Sequence, residues 1–521
     1  MWPVPKEPPP WQQQPYGVVD PRTGREREQV AVEASGAEVD AAVRAAHAAR
    51  GALADRAVRA ALLRAAAARL DGARAHLVEA ADAETALGPV RLDGELTRTT
   101  SQLRSFADLV DEGAFLGIRI DHPDPAAAPP VPDLRRMCVP LGVVAVYAAG
   151  NFPFAFSVPG GDTASALAAG CPVVVKAHPD HPATSEFVLA LLRRAAADTG
   201  VPPEVFGLVH GFDAGVALIG HPLLAAAGFT GSLRGGRALF DAAAARPVPI
   251  PFHGELGSLN PVLVTPGAVA ERPREVAEGL AASMTLGTGQ FCVKPGLVLV
   301  PAGEDGDRLV TALTAAVSDT EAGVLLDARI RDAFLAGVTE RAALDGVASP
   351  VTPGAAGEHT VAAGFLTVDA ARLTAEGPHD LLLEECFGPV TVLARYDGPA
   401  GAEALLARLP GNLTATLHLS AAEERGEGDA AALLERLTRL AGRVVVGGWP
   451  TGVAVADAQH HGGPYPAATS TATSVGTAAV ERWLRPVAYQ TTPEALLPPE
   501  LRDGNPLGLP RHVDGRAERG A

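Results

Sequence analysis

Apolar residues recur at helical spacing from about residue 36 to 115, as in VDAAVRAAHAARGALADRAVRAALLRAAAARL, which predicts a helix-rich opening region. From Cys138 the pattern changes. Short β-branched runs alternate with helix-period segments: CVPLGVVAVY, a helix near 160–169, PVVVKA, a helix near 183–198, VFGLVHG, a short helix, and AAAGFTGS leading into RGGRALFDAAAA. This alternation predicts right-handed βαβ units on a parallel sheet covered by helices on both faces. A second alternating block follows, with NPVLVTP, a helix near 268–285, PGLVLVP, a helix near 306–318, and then FGPVTVLARY, LTATLHLS and GRVVVGG. A second α/β unit is therefore expected from about 254 to 448. Proline and glycine beyond 491 predict an irregular surface arm. There is no internal repeat and no heptad run.

Composition narrows the class. A chain of 521 residues with 47% hydrophobic and 20% charged positions has enough apolar surface for two or more cores. Its formal charge of −17 argues against a nucleic-acid or anionic-membrane partner and leaves a small molecule as the expected one. Cys138, Cys171, Cys292 and Cys386 are widely spaced with no C-x-x-C, so neither a zinc cage nor a disulfide framework is expected, and a reducing cytoplasm fits. The opening MWPVPKEPPPWQQQPYG has no basic-then-apolar signal pattern and reads as an extended leader. Between Arg136 and Lys176 the only charge is Asp162, but Pro140, Gly142, Gly150, Pro153, Pro159 and Gly160 interrupt it. It reads as buried strand, loop and helix rather than a membrane span.

Several stretches carry chemistry. Cys292 in TLGTGQFCVKPG has glycines at 287, 289 and 296 and polar or basic neighbours in Gln290 and Lys294; it is either a buried small hydrophobe or a thiolate nucleophile awaiting a base. Glu255 in PFHGELGS is a lone carboxylate in an apolar stretch, either solvated in a loop or partly buried as a general base. Asn151 follows a buried-type strand, where its amide can cap a helix or donate to an oxyanion. GFTGSLRGG places Gly231 and Ser232 at a helix start suited to phosphate, although it is not the G-x-G-x-x-G fingerprint. Paired acids Glu384 and Glu385 read as a solvated turn, Cys138, Cys171 and Cys386 as packing residues. His460 and His461 read as a solvent-facing loop pair, with a substrate mouth as the alternative.

Taken together, Asn151 in NFPF, Lys176 in VVVKAHP, FTGS at 229–232, Glu255 in ELGS, Cys292 in GQFC, and Glu385 and Phe387 in EECFGPV resemble the aldehyde dehydrogenase superfamily in order and spacing. Glu255 precedes Cys292 by 37 positions, and the resemblance spans roughly residues 17–490. Within it, NFPFAFSVPGG, GQFCVKPG and HGGPYPAATS are similar to the branch of 2,5-dioxovalerate (2-oxoglutarate semialdehyde) dehydrogenases and bacterial NADP-dependent fatty aldehyde dehydrogenases.

The resemblance implies an α/β fold of aldehyde dehydrogenase type. A Rossmann-type cofactor domain would span 1–123 and 141–253, a catalytic domain 254–448, a small β oligomerisation projection 124–140 and 470–490, and an arm 491–521. It implies a dimer or tetramer, Cys292 as nucleophile, Glu255 as base, Asn151 as oxyanion donor and no metal. Lys176, His178, Pro179, Gly231, Ser232, Glu385 and Phe387 would meet the cofactor. Pro179 stands where NAD-preferring relatives often carry a glutamate, so NADP is expected ahead of NAD, with His178 and His181 facing a 2′-phosphate. Gly447 replaces the asparagine usual at its position. The expected reaction is oxidation of 2-oxoglutarate semialdehyde to 2-oxoglutarate. The alternatives are a medium- or long-chain aliphatic aldehyde, or a cofactor-independent cysteine acyltransferase or hydrolase.

Overall fold

A computed structural model describes residues 15–518; the segment 1–14, read above as most of an extended leader, lies outside it. Four helices, Gly36–Ala49, Arg56–Gly72, Arg74–Thr85 and Pro89–Glu112, fill the opening region, and Ser35 caps the first through a reciprocal bond with Glu38. Leu62, Leu63, Leu92, Leu96 and Phe106 from these helices join a core under the first sheet.

That sheet has five parallel strands in the order Phe206–Val209, Val173–Lys176, Val143–Tyr147, Leu224–Thr230, Phe252–Glu255. Strands covered on both faces need no polar alternation, which is why all of Val143–Tyr147 is buried. The helices Gly161–Ala169, Pro182–Asp198, Phe212–Gly220 and Leu233–Ala244 connect them. Glu255 is thus the last residue of this sheet's edge strand, so the sheet runs two residues past the boundary expected at 253.

The second sheet has seven strands, ordered Ala348–Val351, Gly364–Asp369, Val390–Tyr396, Leu297–Pro301, Val262–Val264, Asn412–His418, Ala441–Val446. All neighbours are parallel except the antiparallel edge Ala348–Val351. The single helix expected at 268–285 is two, Pro266–Glu271 and Pro273–Thr285, because Pro273 cannot continue a helix through Arg272.

A third sheet draws on distant parts of the chain: Leu484–Gln490, Leu134–Pro140, Arg119–Asp121, Arg511–Val513 and Arg516–Glu518. Residues 119–121 therefore pair here rather than with the first sheet. The segment beyond 491 is also more than an arm: its last two strands close this sheet, and Leu497, Leu501 and Leu509 pack on Ile118 and Ile120. Among the described residues no helix is long and apolar enough to cross a membrane, and 136–176 is strand, loop and helix.

Candidate active site

The carboxyl ends of the first sheet's strands face the loop that carries Cys292. Asn151 lies just beyond Val143–Tyr147, Gly231 and Ser232 end Leu224–Thr230, and Glu255 ends its own strand. In open parallel sheets this is the edge where ligands bind. One cavity of about 530 Å³ is lined by Asn151, Glu255 and Cys292 together with Ser232, Glu385 and Phe387. His178 and Gly231 also line it, whereas Lys176 and Pro179 do not.

The Cys292 loop is held by backbone geometry and by one asparagine. Gly287, Thr288 and Gly289 are consecutive residues at positive φ (57°, 58° and 67°), a conformation that a β-branched threonine adopts only under external restraint. A side chain at Gly289 would begin 2.3 Å from the Gly388 carbonyl oxygen, so only glycine fits. The fully buried Asn260 donates from Nδ2 to the carbonyls of Cys292 (2.8 Å) and Lys294 (3.0 Å) and accepts at Oδ1 from Thr414 of the second sheet. The backbone that carries the sulfur is thereby tied to the second sheet.

Cys292 Sγ lies 3.7 Å from His461 Nε2, and His461 Nε2 lies 2.9 Å from Glu255 Oε1. Ser474 Oγ donates to the other oxygen, Oε2, at 3.0 Å. The Cys292, His461 and Glu255 groups sit within 4.8 Å of one another, and among the described residues they are the one set of His, Cys and acidic side chains close enough to hold a metal ion. His461 is 1% exposed, not solvent-facing as expected, and its partner in the loop, His460, is the more open one.

Charges follow from this arrangement. Burial works to raise the Glu255 carboxyl, but attraction to His461 and hydrogen bonds from His461, Cys292 and Ser474 outweigh it and hold the pKa below the ordinary carboxylate value. The Cys292 thiol is pushed well above its ordinary value, first by burial and then by the negative charge of Glu255, while Arg98 pulls the other way. A neighbouring base, not a pre-formed thiolate, is what this sulfur has. The basic neighbour suggested by sequence, Lys294, turns away: Nζ donates to the carbonyls of Val390 (2.6 Å) and Cys386 (3.2 Å). Gln290 is likewise a buried loop tie, accepting from Leu326 N at 2.9 Å. Asn151 Nδ2 donates to the Gln290 carbonyl at 3.0 Å, which leaves its second N–H for another acceptor.

The remaining cavity suits a dinucleotide. Ser232 caps the helix Leu233–Ala244 by accepting from Gly235 N (3.2 Å), and the first helical residues are exposed, so unpaired N–H groups and the helix dipole face the cavity. Glu385 approaches so closely that a side chain at Gly257 would begin 2.4 Å from its Oε2, and burial raises its pKa to about 7 against the opposing pull of Lys294. Glu385 is thus a cavity wall rather than a solvated turn, and Cys386 beside it also lines the cavity. His181 is not available to a phosphate: it is fully buried, bonded to the Ala149 carbonyl (2.9 Å) and Ser185 Oγ (3.2 Å), and burial lowers its pKa to about 4. Arg329, which sequence reasoning missed, lines the same cavity, paired with Asp327 at 2.5 Å and Asp180 at 3.3 Å.

The aldehyde dehydrogenase family model matches residues 10–420. The chain belongs to this family. As an aldehyde dehydrogenase it is 48% identical over 443 residues to alpha-ketoglutaric semialdehyde dehydrogenase 2 of Azospirillum brasilense, covering 84% of this chain and 83% of that one. It is 44% identical over 439 residues to the alpha-ketoglutaric semialdehyde dehydrogenase of Acinetobacter baylyi, covering 84% and 82%. Among solved structures, a mutant of aldehyde dehydrogenase C from Pseudomonas syringae, in complex with NAD+ and octanal, superposes with a TM-score of 0.75 at 22% identity, covering 94% of this chain and 95% of that one. The dehydrogenase is an NAD(P)-dependent oxidoreductase of aldehydes with the family's fold.

Proposed function

We propose that this aldehyde dehydrogenase oxidises 2-oxoglutarate semialdehyde to 2-oxoglutarate, with Cys292 as nucleophile, Glu255 as general base and Asn151 as oxyanion donor. The observation that carries the chemistry is the contact chain from Cys292 through His461 to Glu255 on the wall of one cavity with Asn151. The substrate rests on the two semialdehyde dehydrogenases that share 44–48% of their aligned positions with this chain.

Glu255, steadied by Ser474 and His461, takes the Cys292 proton as sulfur adds to the aldehyde carbon. The free Asn151 N–H and the Cys292 backbone N–H donate to the oxyanion that forms. Bound NAD(P)+ would supply the hydride acceptor; Ser232 and Gly231 would hold its pyrophosphate and Glu385 a ribose hydroxyl, whereas Lys176, outside the cavity with its Nζ over the Phe212 ring, is not placed to do so. Once Glu255 has passed that first proton to solvent, it takes a proton from the water that attacks the Cys292 thioester and returns it to the departing sulfur, releasing the acid and restoring the thiol.

NADP is the proposed cofactor, on Pro179 and on Arg329, which supplies a cation in the cavity for a 2′-phosphate. A second reading, NAD, is favoured by Asp180, which lines the cavity and whose buried Oδ2, 3.4 Å from His178 Nδ1, has no hydrogen bond and would accept one from a ribose hydroxyl. Subunit pairing is assigned to the third sheet, whose edge strand Leu484–Gln490 is open. The test is kcat/KM on 2-oxoglutarate semialdehyde, succinate semialdehyde and octanal, each with NADP and NAD, followed by reduced-nicotinamide absorbance. Preference for octanal would replace the substrate reading, and thioester cleavage without any nicotinamide reduction would replace the reaction class.

A further inference from the structure

The helix Pro89–Glu112 presents Arg91, Glu95, Arg98 and Gln102, spaced one turn apart, to the loop that follows Asn151. Two of these side chains are bound to that loop's backbone. Arg91 donates to the Asn151 carbonyl at 2.6 Å, and Glu95 accepts from Phe154 N (2.7 Å) and Ala155 N (2.9 Å). Arg98 is different. Among the described residues it has no hydrogen-bond or ion-pair partner, its Nε is buried and unpartnered, and its guanidinium carbon lies 5.2 Å over the Phe156 ring. The residue is part-buried and the acidic charge that acts on it most is Glu95 on its own helix, yet no side chain among the described residues bonds its guanidinium, which keeps its donors for a ligand.

Its position relative to the sulfur is defined by side chains. The Phe156 ring lies 6.2 Å from that of His461, which touches Cys292. Phe152 meets Phe156 edge-on at 5.3 Å and Phe291, the neighbour of Cys292, at 5.4 Å. Phe152 and Phe156 are partly exposed within otherwise buried chain. A short apolar wall therefore separates a nucleophile from an unpaired cation. A second arginine that acts on the sulfur, Arg443, is tied to the Pro450 and Gly452 carbonyls.

We propose that Arg98 binds the carboxylate of the substrate, making a ω-aldehyde of a short 2-oxo acid the chemical class that this side of Cys292 accepts. The aldehyde carbon meets Cys292, the methylenes lie along Phe152 and Phe156, and the carboxylate pairs with the planar guanidinium in the bidentate geometry that arginine favours. This deepens the substrate reading above and rests on it. It also counts against a long alkyl aldehyde, which would place apolar chain against a part-buried cation without a partner for it.

The test compares wild type, Arg98→Met and Arg98→Lys on 2-oxoglutarate semialdehyde and on butanal, and measures inhibition of butanal oxidation by 2-oxoglutarate. Arg98→Met should lower the ratio of kcat/KM for semialdehyde over butanal about 100-fold, through KM, and weaken 2-oxoglutarate inhibition comparably. Arg98→Lys should recover part of both, which a mere folding defect would not reproduce. An unchanged ratio together with unchanged inhibition overturns the assignment. If wild type ignores the semialdehyde, the substrate reading falls, and the inhibition arm still decides Arg98: loss of 2-oxoglutarate inhibition in Arg98→Met supports it, and its persistence refutes it.

Discussion

Replacing Glu255 by Gln has two effects of opposite sign, and the structure sets the size of one. The Cys292 sulfur and a Glu255 oxygen are no more than 4.8 Å apart. A unit charge at that distance in an effective dielectric near 20 acts with about 3.5 kcal/mol. Because Glu255 raises the thiol, its removal must lower the thiol pKa, so more thiolate is present at any pH below the original value. A less basic thiolate is also a weaker nucleophile, and with a Brønsted coefficient near 0.45 the net gain in alkylation rate at neutral pH is about twentyfold. Turnover moves the other way, falling by about 10² to 10⁴ with the loss of the base. The assay is iodoacetamide labelling of Cys292 across pH, followed by mass spectrometry, beside steady-state oxidation of the aldehyde. Labelling that is slower in Glu255→Gln than in wild type would refute the reasoning, since it would mean that the carboxylate promotes the thiolate at rest.

Three further outcomes are expected. Asn151→Ala should reduce turnover by about two to three orders of magnitude while cofactor affinity, read by fluorescence titration, stays close to wild type. His461→Asn removes the attraction that holds Glu255 down; the carboxyl rises, so activity on the acid side is lost at higher pH than in wild type, and an unmoved acid limb in the pH–rate profile would count against the pairing. Asn260→Asp turns the donors on the Cys292 and Lys294 carbonyls into acceptors, leaving buried groups unpaired at a cost of about 2–5 kcal/mol; thermal unfolding should show a clearly lower midpoint, and an unchanged one would remove Asn260 as the anchor.

The parallel strands were legible because burial on both faces removes the need for polar alternation, so runs such as VVVK and LVLVP stand out from the helical segments around them. Cys292, Glu255 and Asn151 were legible as isolated reactive types among glycines. His461 and Ser474 were not. They sit in an irregular glycine- and proline-rich segment without periodicity, and their roles come from a partner over 200 positions earlier in the chain. Gln290 and Lys294 misled for the opposite reason: proximity in sequence to Cys292 says nothing about where their side chains point, and both are spent on backbone carbonyls or amides. The terminal strands Arg511–Val513 and Arg516–Glu518 are too short and too exposed to show a pattern, and only pairing with Arg119–Asp121 reveals them. Arg98 carried no signal of its own in the sequence; only the loop after Asn151, which lays Phe156 against its guanidinium, marks it out.

The carboxylate's two stabilising partners are translated long after it, in the last eighth of the chain. On the ribosome, a nascent polypeptide that has already emerged past both sheets' first strands still lacks the imidazole and hydroxyl that make a charged Glu255 tolerable in an apolar setting. The reactive centre therefore matures as a late event of biosynthesis.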